Sequence, residues 1–193
     1  MSRTFSRPII VPVHALPRDE AGRLWIFGYG SLVWRPAFAH VEQRPAWVRG
    51  WTRRFWQWST DHRGVPGAPG RVATVVEDAA AVCWGRAYAV DPAHEADVLS
   101  GLDHREKQGY DRRVVDLGFE DVPGPQALMY VATPDNPSFA GDTPEAEIAE
   151  IIATRVGPSG TNREYLLELA EALRSIGVHD PHVAALEALV VGD

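Results

Sequence analysis

Only one cysteine stands in these 193 residues, Cys83. No intrachain disulfide framework is therefore available, and its apolar, strand-like surroundings read as core in a reducing compartment. Also missing is any apolar stretch near the roughly 18 residues that a membrane span needs. The first ten residues carry Arg3 and Arg7 but neither a signal-peptide apolar core nor a small-residue cleavage site. These absences point to the cytoplasm and to no membrane partner. Basic charge is short as well: 19 Lys and Arg against 26 Asp and Glu leave a net charge of -7. That balance excludes a general nucleic-acid binder, whose affinity comes largely from neutralising phosphates. His179 and His182 flank a helix start, but no Cys, Asp or Glu arrangement completes a metal site around them, so no metal is expected. Internal repeats and low-complexity tracts are absent too.

What is present is an average globular composition, 45% hydrophobic and 23% charged, in a chain long enough to bury roughly 70% of its unfolded surface. The most informative stretch is Phe27-Gly28-Tyr29-Gly30-Ser31-Leu32. An apolar run over 24–27 breaks there into a glycine-spaced turn instead of continuing as a strand. Glycine suits a backbone at positive φ or one that another group approaches closely, and two around one tyrosine outline a pocket lined by N–H groups. Such groups form a nest for an anion or oxyanion. A dinucleotide site needs a third glycine where Val33 stands, and a phosphate loop needs Gly-Lys-Ser/Thr. Val33 also breaks the nucleophile-elbow pattern, so Ser31 reads as a hydroxyl donor or turn residue.

Residues 1–23, with Pro8, Pro12, Pro17 and Gly22, read as an extended arm, and residues 24–193 as a single domain. Short apolar or alternating runs at 24–27, 47–51, 54–58, 72–76 and 82–90 predict strands. Residues 59–70, rich in Gly and Pro, make a long loop of the kind that often serves function. Asp91-Pro92 opens a helix to about 104, strands follow near 110–119 and 127–133, and the last quarter is helical. Thr143-Pro144 starts one helix, which Gly157 is expected to close. Thr161 and Glu164 form a capping box for the next, which carries Leu166, Leu169, Ala170 and Leu173 on one face. Asp180-Pro181 starts the third. This order predicts an α+β fold: a mostly antiparallel sheet or small β-barrel with flanking helices.

A second chemical candidate is the charged segment 102–110, between an apolar helix and an apolar strand. It is either a solvated face or a pocket edge, where Glu106 would point into a barrel mouth with its pKa raised by burial. Basic residues also gather centrally, among them Arg53, Arg63, Arg71, Arg112 and Arg113. They serve either a small anionic substrate or structural pairing with acids such as Asp103.

Several stretches together carry a family resemblance: Trp25-Ile26-Phe27-Gly28-Tyr29-Gly30-Ser31-Leu32-Val33-Trp34, Arg53-Arg54-Phe55-Trp56-Gln57, Ser59-Thr60-Asp61-His62-Arg63-Gly64, Pro69-Gly70-Arg71-Val72, Arg105-Glu106-Lys107, Gly109-Tyr110, and Gly157-Pro158-Ser159-Gly160 with Glu164-Tyr165-Leu166. The chain resembles the glutathione-specific branch of the ChaC family of γ-glutamylcyclotransferases. The resemblance implies cleavage of glutathione into 5-oxoproline and cysteinylglycine without metal or organic cofactor. It places Glu106 at the family's catalytic glutamate and makes Ile26, Phe27, Gly28, Tyr29, Gly30, Ser31 and Leu32 the substrate loop. Tyr165 matches a pocket tyrosine and otherwise reads as a core aromatic. Arg53, Arg63 and Arg71 are candidate partners for substrate carboxylates. A family acidic position falls on Asp97, one methylene shorter than glutamate. Two alternatives stay open: a cyclotransferase for other γ-glutamyl amines, and a non-catalytic module binding γ-glutamyl or other small anionic ligands. Nothing in the residues sets the oligomeric state.

Overall fold

Five consecutive apolar or small residues, Leu24–Gly28, form strand β1, which is buried along its whole length. A strand without alternation must be covered on both faces, and β1 is. Trp25 and Phe27 join the cluster of Val48, Val75, Leu117 and Met129 inside a barrel. Leu24 and Ile26 pack outward with Leu99, Leu102 and Leu128. The computed structural model describes residues 11–105, 110–120 and 122–192. Glu106 lies outside the described residues.

The barrel closes in the order β1, β3 (Gly70–Val90), β2 (Glu42–Ser59), β4 (Asp111–Phe119), β5 (Val122–Val131). Every pairing is antiparallel except the closure of β1 on β5, a parallel contact at Ile26 and Leu128. The expected runs at 47–51 and 54–58 are one strand rather than two. Gly50, at φ 80°, takes up a register shift between Arg49 and Trp51, and a second shift falls between Arg54 and Gln57. Likewise 72–76 and 82–90 both fall within β3, where residues 78–81 bulge opposite Gly50 at the same register shift.

Helix α1 (Glu95–Arg105) covers one side of the barrel. Its entry is prepared by Asp91, whose carboxylate accepts from the Ala93 N–H at 2.9 Å. Residues 11–23 pack on the same side. Leu16 is buried, Arg18 pairs with Glu95 at 2.5 Å, and Asp19 accepts from Trp25 Nε1 at 2.8 Å.

Helices α2 (Glu145–Thr154), α3 (Asn162–Ser175) and α4 (Pro181–Val191) build a second apolar layer. Leu166, Leu169 and Leu173 of α3 meet Ile148, Ile152 and Leu186 and lie against Phe55 and Ala73 of the barrel. Truncating one such leucine to alanine costs about 2–5 kcal/mol. Thr161 caps α3 by accepting from the Glu164 N–H at 3.0 Å. Gly157 does not close α2. That helix ends at Thr154, where Arg155 turns extended at φ -91°, ψ 142°. Gly157 instead belongs to the short hairpin β6 (Val156–Gly157) and β7 (Gly160–Thr161). No helix among the described residues is long and apolar enough to cross a membrane.

Candidate active site

Beyond Gly28 the chain leaves β1 and enters a 3₁₀ turn, Ser31–Val33. The two glycines are required by close approach, not by positive φ. A Cβ on Gly28 would meet the Leu32 Cβ at 2.5 Å, and one on Gly30 would meet the Tyr165 hydroxyl at 3.0 Å. The loop is pinned at three points. Arg53 Nε donates to the Tyr29 carbonyl at 2.8 Å, the Tyr88 hydroxyl donates to the Leu32 carbonyl at 2.5 Å, and the Tyr29 hydroxyl donates to the Tyr130 carbonyl at 2.8 Å. Burial pushes the Tyr88 pKa up to about 12, so it stays a donor throughout the neutral range. These three bonds fix the course of the loop backbone.

The loop forms one wall of a cavity of about 360 Å³, the size of a small-molecule site. The rest of the lining comes from Gln57, Trp58 and Ser59 at the end of β2, from Asp61, His62 and Arg63, and from Val72 and Ala73 of β3. Tyr110, Tyr130, Ser159 and Tyr165 complete it. The loop after β2 is anchored to the β6–β7 hairpin by the Ser159 N–H, which donates to the His62 carbonyl at 2.9 Å. The Arg63 N–H donates to Ser59 Oγ at 3.0 Å. Tyr165 holds the β3 side by accepting from the Ala73 N–H at 3.3 Å. Tyr130 donates to Asp103 Oδ1 at 2.7 Å. Its pKa is raised by burial and then by that carboxylate.

Of the residues expected at the site, Phe27, Gly28, Tyr29, Gly30, Ser31, Leu32 and Tyr165 share this cavity. Ile26 does not reach it; its side chain is buried on the α1 side of the barrel. Arg53 is fully buried behind the loop, where its guanidinium is occupied by Tyr29 O, Trp84 O and Asp180. Arg71 is also turned away from the cavity. It stacks 3.8 Å from the Trp58 ring centroid and donates to Thr143 Oγ1 at 3.2 Å. Neither arginine is among the residues that line the cavity. Arg63 does line the cavity, but Glu164 at 2.7 Å and Glu168 at 3.4 Å compensate its charge. Arg112 pairs with Asp103 and Arg113 with Asp111, so much of the central basic cluster is structural. Asp97 is exposed on the first turn of α1, away from the cavity wall.

Sequence reasoning assigned no role to Gln57, Tyr110 or Tyr130. Gln57 stands at the end of the Arg53-Arg54-Phe55-Trp56-Gln57 stretch, and its inward direction depends on the register shift between Arg54 and Gln57. Arg35, at the end of the 3₁₀ turn, is an exposed cation on the cavity wall. Among the described residues, no group of three or more His, Cys, Asp or Glu stands together as a metal site. His182 is instead buried and hydrogen-bonded to Glu145 and the Phe55 N–H.

A family model described as ChaC-like protein matches residues 24–192. Human glutathione-specific gamma-glutamylcyclotransferase 1 is 45% identical over 183 residues, covering 91% of this chain and 82% of that protein. The glutathione-specific gamma-glutamylcyclotransferase of Schizosaccharomyces pombe is 37% identical over 188 residues, covering 88% and 93%. A crystal structure of a yeast γ-glutamyl cyclotransferase specific to glutathione superposes with a TM-score of 0.82 at 30% identity, covering 88% of this chain and 96% of that one.

Proposed function

The chain belongs to the ChaC-like family, and from that premise we propose that it is a glutathione-cleaving γ-glutamylcyclotransferase with Glu106 as its proton-transfer group. The single observation that carries this reading is the glycine loop. It is held at Tyr29 and Leu32 by Arg53 and Tyr88, and it faces a cavity whose lining includes Tyr110. Tyr110 follows Glu106 by four residues in the chain, which supports a carboxylate serving the same cavity.

The reaction needs no covalent nucleophile. Glu106 takes a proton from the substrate's α-ammonium, whose pKa is around 8. The freed amine attacks the γ-glutamyl carbonyl carbon, and the carbonyl oxygen becomes an oxyanion that the amides of the 28–32 loop receive. Glu106 passes that proton to the cysteinyl nitrogen, the attacking nitrogen gives up a second proton by way of the same carboxylate as it becomes the lactam N–H, the C–N bond breaks, and 5-oxoproline and cysteinylglycine, as its ammonium, leave. Atoms balance without water. Ring closure is intramolecular in the free substrate too, so the share left to the protein is to hold the amine and the carbonyl in one near-attack conformer. Tyr165 stands beside Gly30 and orients the glutamyl group. The chemistry suits a cytoplasmic setting, in keeping with one buried cysteine and no membrane helix among the described residues.

The test is release of 5-oxoproline and cysteinylglycine from glutathione by wild-type protein and by Glu106→Gln. The wild type is expected to be active and the variant to lose at least about a hundred-fold in kcat, the usual contribution of a general acid–base group. An inactive wild type, or a fully active variant, refutes the proposal.

A further inference from the structure

One polar atom in the cavity wall has no partner. Gln57 is 1% exposed, it is one of the residues lining the cavity, and its Oε1 is buried without a hydrogen bond. The amide orientation is set by its neighbour. Asn136 Oδ1 already accepts from the Ser138 N–H at 2.8 Å, so Gln57 must present its NH₂ there, which it does at 3.4 Å. The carbonyl end is left over. Leaving a buried acceptor unsatisfied is costly, and such a group calls for a donor that the chain itself does not supply.

We propose that Gln57 Oε1 accepts a hydrogen bond from the α-amino group of the γ-glutamyl substrate and aims that nitrogen at the γ-carbonyl; the inference rests on the cyclotransferase reading. Chemistry selects the ligand atom. An amide oxygen only accepts, so substrate carboxylates and carbonyls are excluded and an N–H donor is required. Position selects the amine. Gln57 pairs in register with Val72, and the next residue, Ala73, has its Cβ 3.9 Å from where a Cβ on Gly30 would sit. Gln57 therefore stands on the stretch of wall beside the loop. The loop offers donors to oxygen, and Gln57 offers an acceptor to nitrogen. The glutamyl head group carries both.

A structural and a binding role predict opposite signs for Gln57→Leu. Leucine has a similar volume and removes the orphaned acceptor, while Asn136 keeps its bond from Ser138. The melting temperature should hold or rise. The kcat/KM for glutathione should nevertheless fall about ten- to a hundred-fold, the size of one hydrogen bond to a charged group. Gln57→Glu adds a negative charge that favours the ammonium form, so the acid limb of the kcat–pH profile should move to higher pH. Undiminished kcat/KM in the Leu variant, stability lost in step with activity, or an unmoved limb in the Glu variant overturns the proposal. If wild-type protein releases no 5-oxoproline, the cyclotransferase reading is what fails. Calorimetric titration of glutathione into wild type and Gln57→Leu then decides the contact alone: weaker binding to the variant upholds it, and equal binding overturns it.

Discussion

Arg53 Nε donates to the carbonyl oxygen of Tyr29 at 2.8 Å. The same guanidinium reaches Trp84 O and the carboxylate of Asp180, whose other oxygen caps α4 by accepting from the His182 and Val183 N–H groups at 3.1 and 3.2 Å. A single buried side chain thus ties the glycine loop to the last helix. The loop's geometry is therefore a property of the whole domain.

Replacing Arg53 by methionine removes three bonds at once and leaves the partly buried Asp180 carboxylate unpaired. We expect a loss of about 3–5 kcal/mol, the range for breaking one side of a buried pair. Urea denaturation measures it. Arg53→Lys keeps the charge without the planar fork and should fall between the two. A Met variant as stable as wild type would show that the buried pair does not hold the loop.

Gly30 and Tyr165 should be energetically coupled. Alanine at position 30 places its Cβ 3.0 Å from the Tyr165 hydroxyl, so one of them must shift by a few tenths of an ångström. Gly30→Ala should lower kcat/KM about ten-fold, since displacements of this order cost rate steeply. In the Gly30→Ala/Tyr165→Phe pair the collision is gone, and the combined loss should be smaller than the sum of the two single losses by about 1 kcal/mol. Strict additivity would mean that the two residues do not meet in the working enzyme.

Features set by near neighbours were legible from sequence. The glycine turn after an apolar run, the Asp91 and Asp180 caps and the Thr161–Glu164 pair all rest on residues within a few positions of each other. Features made by distant partners were not. The register shift at Gly50 joins two apparent strands into one. The barrel closes through the parallel contact of Ile26 with Leu128, about a hundred residues apart. Arg53 and Arg71 look like anion binders in the sequence because charge is visible there and burial is not; the partner of Arg53 is Asp180. Gln57 escaped for the opposite reason, because a neutral amide has no short-range signature and its orphaned oxygen exists only once Asn136 is in place.

The end of the long loop is also clamped, by Asn162. This fully buried amide accepts from the Arg71 N–H at 2.6 Å and donates to the Arg71 carbonyl at 2.7 Å, copying the two bonds of a strand pair. Asn162→Ala orphans both backbone groups and should cost about 3 kcal/mol. Asn162→Asp keeps the acceptor but sets a carboxylate against a carbonyl, and it should be no better tolerated. Thermal melts of both variants give the comparison. A stable Asp variant would show that only the Arg71 N–H needs satisfying.

His182 makes stability depend on pH. Its Nε2 accepts from the Phe55 N–H at 3.1 Å, which requires the neutral ring, and Nδ1–H donates to Glu145 Oε1 at 2.9 Å. Burial lowers its pKa from the ordinary 6.5, a net lowering that survives the opposing pull of Glu145 and is helped by nearby Arg54. The unfolded chain therefore binds the proton first. The His182 contribution is complete above pH 6.5 and declines as pH falls through that value towards the lower folded-state pKa, with a slope of at most about 1.4 kcal/mol per pH unit. Urea midpoints at pH 7.5, 6.5 and 5.5 should fall for wild type. They should fall less for His182→Gln, whose amide can keep one acceptor and one donor without titrating. The remaining histidines contribute to both proteins alike, so the difference between the two curves isolates this ring. Parallel curves would mean that His182 takes up its proton in the folded protein as readily as in the unfolded one.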